Sequence, residues 1–379
     1  MAGNADWVID ADVNNLGTNA NGAMLPGWGT EANAQRFPTP AQSGITSTTA
    51  ETFWTGALSS WAVELVKYGY EVETLPYNGT ISYGNSSNVQ DLSHYKVFIV
   101  DEPNIVFTAT EKTALVSFVN NGGGLFIISD HDNSDRNFDG IDSPHIWNDL
   151  FLNNGAVVNP FGITFDYLDF SQTTFNVNSL PSDSILHGPY GNPTTIKYSN
   201  GTTMVLDPTA NPSVTALVYK SGSSHGNANV FLARARYAAG KVVSLGDSSP
   251  PDDSTGDVND ALYNSWQGEA NGDHARFLMN ATIWLATTNS TTGTSDLPGE
   301  SNSILIYPNP CSGRFSVRLT EPTAPGCRLL LFSILGNEVA ESDPMVGNEK
   351  MFDLGERKGI FFLKLISGDK EITRMIAVE

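Results

Sequence analysis

Cysteine is almost missing from this chain of 379 residues, and the two that occur, Cys311 and Cys327, both lie in its last quarter. A thiolate is needed for a cysteine nucleophile or a zinc–thiolate site, so both are excluded from the first 300 residues. In an oxidising compartment the pair could close one disulfide, which spacing alone does not decide. Basic residues are scarce as well: 20 Lys+Arg stand against 41 Asp+Glu, a formal net charge of −21. Residues 301–379 are near balance, with nine basic groups against ten acidic, so residues 1–300 hold almost all of the excess. A body that acidic repels phosphate backbones and is not expected to bind nucleic acid, whereas bound divalent cations would neutralise part of its charge. No apolar run reaches the roughly 20 residues that span a bilayer, so no transmembrane segment is expected. The opening "MAGNADWVID" lacks the basic start and apolar core of a signal peptide.

What is present is a globular composition, 40% hydrophobic and 10% aromatic, long enough for two or three domains. Residues 287–303 are rich in Thr, Ser and Gly and read as a flexible linker between residues 1–286 and residues 304–379. In the first part, strand and helix signals alternate. "ETFWTGALSSWAVELVKYGY" places Trp54, Leu58, Trp61 and Leu65 at helical spacing. "EVETLPY", "YKVFIVDEP" and "GLFIISD" read as strands, with a helix over "TATEKTALVSFVNNGGG" capped by Thr108 or Thr110. "ANVFLARARYAAGKVVSLGDSS" reads as two strands joined by a Gly turn, followed by a closing helix over "DHARFLMNATIWLA". This order predicts an α/β fold with an open, mostly parallel sheet and helices on both faces. Residues 150–225 look like a β-rich insertion decorating that sheet.

Three of the buried strands end alike, in "VFIVDEPN", "LFIISDHD" and "VVSLGDSSPPDD". Asp101 and Glu102, then Asp130, His131 and Asp132, then Asp247, Ser248 and Ser249 all follow a strand's carboxyl end. In open α/β sheets ligands bind at that edge. The bland explanation is that such residues cap helices and fill turns, but three strands delivering carboxylates to one edge favour a site. Glu102, Asp130, His131 and Asp247 are the candidate catalytic groups, His131 as base or metal ligand. His274 beside Asp273 is a further candidate, read equally as a cap, and His145, after Pro144, reads equally as a packed loop residue. Asp101, Asp130 and Asp132 are candidate metal ligands. So are Asp135, Asn137, Asp139 and Asp142, which with Gly140 form the first half of a calcium loop, although Ile146 stands where its terminal Glu would be. A structural Ca²⁺ is expected there, with room for a second divalent metal at the sheet edge. Ser248 lacks the Gly-x-Ser-x-Gly turn of a hydrolase nucleophile.

Two resemblances follow from these residues. The last 75 or so, through "IYPNPCSGRFSVRL", "LLLFSILGNEV", "FDLGERKGIFFLKLISGDK" and "RMIAVE", resemble the type A C-terminal sorting domain of the Bacteroidetes type IX secretion system. That resemblance implies an Ig-like β-sandwich over residues 304–379, recognised by the secretion machinery, and a secreted or cell-surface protein. Residues 50–286, through "DLSHYKVFIVDEPN", "FVNNGGGLFIISD" and "YAAGKVVSLGDSS", resemble the glutamine-amidotransferase-like superfamily, including trehalose-utilisation-type proteins. That resemblance implies a flavodoxin-like sheet, with "WVID" at 7–10 as its first strand. Asp130 and His131 stand where the amidotransferases carry their cysteine, so amidotransferase chemistry is excluded. The combined expectation is a secreted, divalent-metal-binding hydrolase acting on an extracellular polymer or small ester. The alternative is a non-catalytic, calcium-stabilised protein that binds glycans or a surface polymer.

Overall fold

The computed structural model describes residues 42, 44–54, 58–75, 79–135, 139–255 and 263–287. Beyond them it describes 304–307, 311, 313–319, 328–333, 337–341, 349–355, 357–367 and 370–378. The "WVID" strand, Asn137, Cys327 and nearly all of the linker lie outside the described residues. The chain divides into two compact units, Met1–Asn289 and Ser290–Glu379.

The first unit is built on one seven-stranded sheet, with β1 (Val97–Asp101), β2 (Gly124–Ile128), β3 (Ile163–Phe165), β6 (Met204–Leu206), β7 (Thr215–Tyr219), β8 (Val230–Tyr237) and β9 (Gly240–Leu245). Its order is β1-β2-β9-β8-β6-β3, with β7 paired to β8. A separate two-stranded ribbon joins β4 (Phe170–Thr174) to β5 (Ile196–Gly201). Only β1–β2 and β2–β9 are parallel; β8 pairs antiparallel with β9, β7 and β6, and β6 with β3. This overturns the expected open, parallel, flavodoxin-like sheet. The sheet is mixed, and residues 150–225 do not merely decorate it but supply β3, β6 and β7. The cause is connection length: β8 and β9 are joined by Ala238 and Ala239 alone, and a two-residue connection makes an antiparallel pair, whereas a parallel one needs a long crossover.

Strands β1, β2 and β9 are buried on both faces, so they read as unbroken apolar runs. Ile99, Phe126, Ile128, Val243 and Leu245 enter one core with α1 (Ser59–Lys67) and α4 (His274–Ala286) through Trp61, Leu65, Phe277 and Leu278. Phe98, Val100, Leu125, Ile127 and Val242 enter a second core with α2 (Ala109–Asn120) and α3 (Ser143–Leu152) through Leu115, Phe118, Trp147 and Leu150. Helix α2 starts at a capping box in which Thr108 and Glu111 satisfy each other's backbone N–H. Helix α1 is shorter than its pattern suggests. Its first turn is capped from far along the chain, where Asp253 Oδ2 accepts from Ser60 N–H (2.6 Å) and Ser59 Oγ (2.8 Å). Residues 71–75, expected as part of a strand, pair with no strand among the described residues, where β1 ends the sheet.

The second unit contains two antiparallel sheets. One orders β10 (Ile304–Tyr307), β11 (Arg314–Leu319) and β14 (Glu349–Asp353). The other orders β13 (Glu338–Glu341), β12 (Arg328–Ser333), β15 (Gly359–Ser367) and β16 (Lys370–Val378). Period-2 alternation buries Phe315, Val317 and Leu319 and exposes Arg314 and Arg318. The buried set shares one core with Leu329, Leu331, Leu363, Leu365, Ile376 and Cys311.

Candidate functional site

The parallel register pairs Asp101 with Ile128 and Ile128 with Leu245, so β1, β2 and β9 end level. The residues just beyond them therefore meet at one edge. Asp101, Glu102, Asp130 and Asp247 are all buried there, none more than 2% exposed. Asp101 Oδ1 is buried without a hydrogen-bond partner among the described residues. Burial pushes the Asp101 carboxyl well above the ordinary carboxylate range, and the negative neighbours Glu102, Asp130, Asp247 and Asp252 push it further. Asp247 is also raised by burial, against the backbone N–H groups of Ser249 (2.8 Å) and Ser199 (2.7 Å) that favour its charged form, with Glu102 raising it further. Among the described residues, Asp101 is thus a buried carboxyl facing negative neighbours with one oxygen unpartnered, a setting that a cation would relieve.

Glu102 adopts φ 45°, a left-handed conformation that costs a non-glycine residue about 1–3 kcal/mol. It is held there by its N–H to Ile128 O (3.1 Å), by Asn104 Nδ2 donating to its carbonyl (2.9 Å), and by Ser248 Oγ donating to Oε2 (3.0 Å). The Ser248 proton is thus committed to a carboxylate. The glycine before Asp247 serves close approach: a Cβ on Gly246 would lie 2.1 Å from Thr202 O, whose own N–H donates to Gly246 O (2.7 Å).

His131 sits at the rim of this cluster. Its Nδ1 donates to Asp132 O (2.7 Å), which leaves Nε2 facing Asp130 Oδ2 at 3.6 Å. His274, the other histidine candidate, is not held like a proton shuttle. It is 1% exposed, its Nδ1 donates to Ser265 O (2.9 Å), and its Nε2 accepts from Lys197 N–H (3.0 Å). Burial holds its pKa down at about 4, so it is a neutral clamp between α4 and β5.

The residues read as a calcium loop are regrouped. Asp135 accepts from the N–H groups of Asp139 (3.1 Å) and Gly140 (2.7 Å), and Asp139 from that of Ile141 (2.9 Å), closing the loop on itself. Asp132 and Asp142 instead converge with His145, their ligand atoms lying within 4.8 Å of one another. Burial, and then the neighbouring Asp132 carboxylate, raise Asp142, against the N–H of Asn133 that holds it down. Asp252 is not among the sequence candidates, and His145, which reads there equally as a packed loop residue, meets Asp132. "SSPPDD" does show Asp252 past a strand end, but nothing local to His145 shows that its ring would meet Asp132.

The comparisons with known proteins bear chiefly on the second unit. Residues 305–379 match the family model described as a secretion system C-terminal sorting domain. The chain thus carries the tail of type IX secretion cargo of the Bacteroidetes, a tail addressed to that secretion machinery, and the protein is secreted or cell-surface. Among the described residues no helix is long and apolar enough to cross a membrane. No curated protein matches the chain in sequence. A solved structure described as the mmIFT52 N-terminal domain is similar at a TM-score of 0.43 and 14% identity, over 64% of this chain and 94% of that one.

Proposed function

We propose that the first unit is a divalent-cation-dependent hydrolase, delivered outside the cell by its sorting domain and acting on an extracellular polymer or small ester. One observation carries this reading: the buried Oδ1 of Asp101, unpartnered among the described residues, on a carboxyl that the neighbouring Glu102, Asp130, Asp247 and Asp252 push upward. Oxygen donors of this kind suit a hard cation of the Mg²⁺, Mn²⁺ or Ca²⁺ type, with Asp101, Asp130 and Asp247 as the residues to hold it. Such a cation would supply Lewis-acid polarisation. The part of the chain itself is to orient and to move a proton: His131, fixed through Nδ1, presents Nε2 beside Asp130 as the base.

The alternative, a calcium-stabilised protein that binds glycans or a surface polymer without turnover, is favoured by the exposure of Tyr167 (50%) and Phe175 (70%), aromatic faces of the kind that bind ligands. The test is hydrolysis of a panel of esters and glycans by the full chain, stripped with chelator and resupplied with Ca²⁺, Mg²⁺ or Mn²⁺. Cation-dependent turnover lost in both Asp101→Asn and His131→Gln supports the hydrolase. Cation-dependent stabilisation with glycan binding but no turnover supports the alternative.

A further inference from the structure

Beside the sheet-edge cluster lies a second convergence of donors that the hydrolase reading does not use. Asp132, Asp142 and His145 each offer one ligand atom within 4.8 Å of the other two. Each is held from a different direction. The Asp132 N–H donates to Leu168 O (2.8 Å). Asp142 precedes α3, and its Oδ2 accepts from Asn133 N–H (3.0 Å), while Asn133 takes a left-handed φ of 68°. His145 lies in the first turn of α3, its N–H bonded to Asp142 O (2.9 Å), and its ring stacks on Tyr167 with centroids 3.8 Å apart and planes 7° from parallel. Tyr167 is itself tied by Asn148 Nδ2 donating to its hydroxyl (3.2 Å).

Two features make this more than a cluster of acids. Asp142 is 9% exposed and its Oδ1 is buried with no hydrogen-bond partner among the described residues. His145 Nε2 meets Asp132 Oδ1 at 3.0 Å, so a single proton stands between an imidazole lone pair and a carboxylate, where a metal ion would bond both. We propose that Asp132, Asp142 and His145 form a site for one divalent transition-metal ion of the zinc type, distinct from the sheet-edge carboxylates. Two carboxylates and one imidazole suit such an ion better than Ca²⁺ or Mg²⁺, which prefer all-oxygen shells. Bonds of about 2.0–2.2 Å would draw the three donors together by small side-chain movements. Asp132 and His145 side chains are 28% and 40% exposed, so the remaining coordination positions face solvent. The stack on Tyr167 fixes the ring plane, as outer partners of metal-bound imidazoles do.

The test uses the full chain with Co²⁺ as a coloured stand-in and Zn²⁺ in competition. The expected result is one Co²⁺ equivalent with visible ligand-field bands, additional to any Co²⁺ taken up by the sheet-edge carboxylates, displaced by Zn²⁺ and accompanied by proton release. His145→Gln, at a half-exposed position, should leave the metal-free chain folded and weaken binding by more than the about 10- to 100-fold typical of losing an outer partner. Tyr167→Leu should fall within that range. Asp101→Asn should leave the bands unaltered, which separates this site from the proposed hydrolase centre. Bands that persist in His145→Gln, bands that vanish in Asp101→Asn, or the absence of Co²⁺ uptake by the unaltered chain each overturn the proposal.

Discussion

Ser248 Oγ donates a 3.0 Å hydrogen bond to Oε2 of Glu102, joining the ends of β9 and β1 across the end of β2, which lies between them. The bond holds a glutamate in a left-handed conformation at the rim of a carboxylate cluster. Ser248 lacks the Gly-x-Ser-x-Gly turn of a hydrolase nucleophile, and its part here is to position Glu102.

Ser248→Ala should therefore lower the stability of the chain by about 1.5–3 kcal/mol, the usual range for a hydrogen bond to a charged group, without abolishing hydrolysis. Urea denaturation and the ester panel, run on the same preparation, check both halves. Complete loss of turnover with the fold intact would restore the serine as nucleophile.

Asp101 and Asp247 both titrate above the ordinary carboxylate range. A carboxyl whose folded pKa is raised keeps protons that the unfolded chain has released, so its share of stability is complete below about pH 4 and is lost as pH rises through the folded value. In chelator, the unaltered chain should carry this penalty at pH 7, and added divalent cation should relieve it. Asp101→Asn should be the more stable of the two at pH 7 without cation and should respond less to pH. Denaturation series across pH, with and without cation, measure the difference.

His274 contributes with the opposite sign. Its pKa is about 4 in the fold against about 6.5 unfolded, so its contribution is complete above pH 6.5 and disappears as pH falls towards 4. By linkage that amounts to about 3 kcal/mol. His274→Asn keeps a donor for Ser265 O but leaves Lys197 N–H unpaired, costing about 1–3 kcal/mol at pH 7. Stability of the variant should be flatter between pH 6.5 and 4 than that of the unaltered chain.

Gly246→Ala should be among the most damaging single changes near the site. Its Cβ would stand 2.1 Å from Thr202 O and 3.3 Å from a Tyr198 ring atom, so backbone must move and Asp247 must move with it. A loss of at least about 2 kcal/mol, within the range of overpacking, together with weakened cation uptake, is the expected outcome. Thermal unfolding and cation titration check it.

Much of this protein follows from its sequence alone. The apolar runs of β1, β2 and β9 declare strands buried on both faces, and the acidic residues after each declare one edge, because parallel neighbours in register must end together. The capping box at Thr108 and Glu111, the 304–379 sorting domain and the absence of thiol chemistry from the first 300 residues are local or compositional and need no tertiary information. The tertiary structure decided the rest. Hydrophobic period distinguishes strand from helix but carries no strand direction, so the antiparallel half of the sheet and the place of β3, β6 and β7 in it depended on which edges were left to pair. Two histidines show the same limit at the site. His274 beside Asp273 reads equally as a cap or a catalytic group, yet folding locks both its nitrogens onto backbone. His145 reads equally as a packed loop residue, yet the first turn of α3 brings it to Asp132, which lies 13 residues earlier. Sequence specifies which groups are carried, while the distances between them are set by packing that no local pattern encodes.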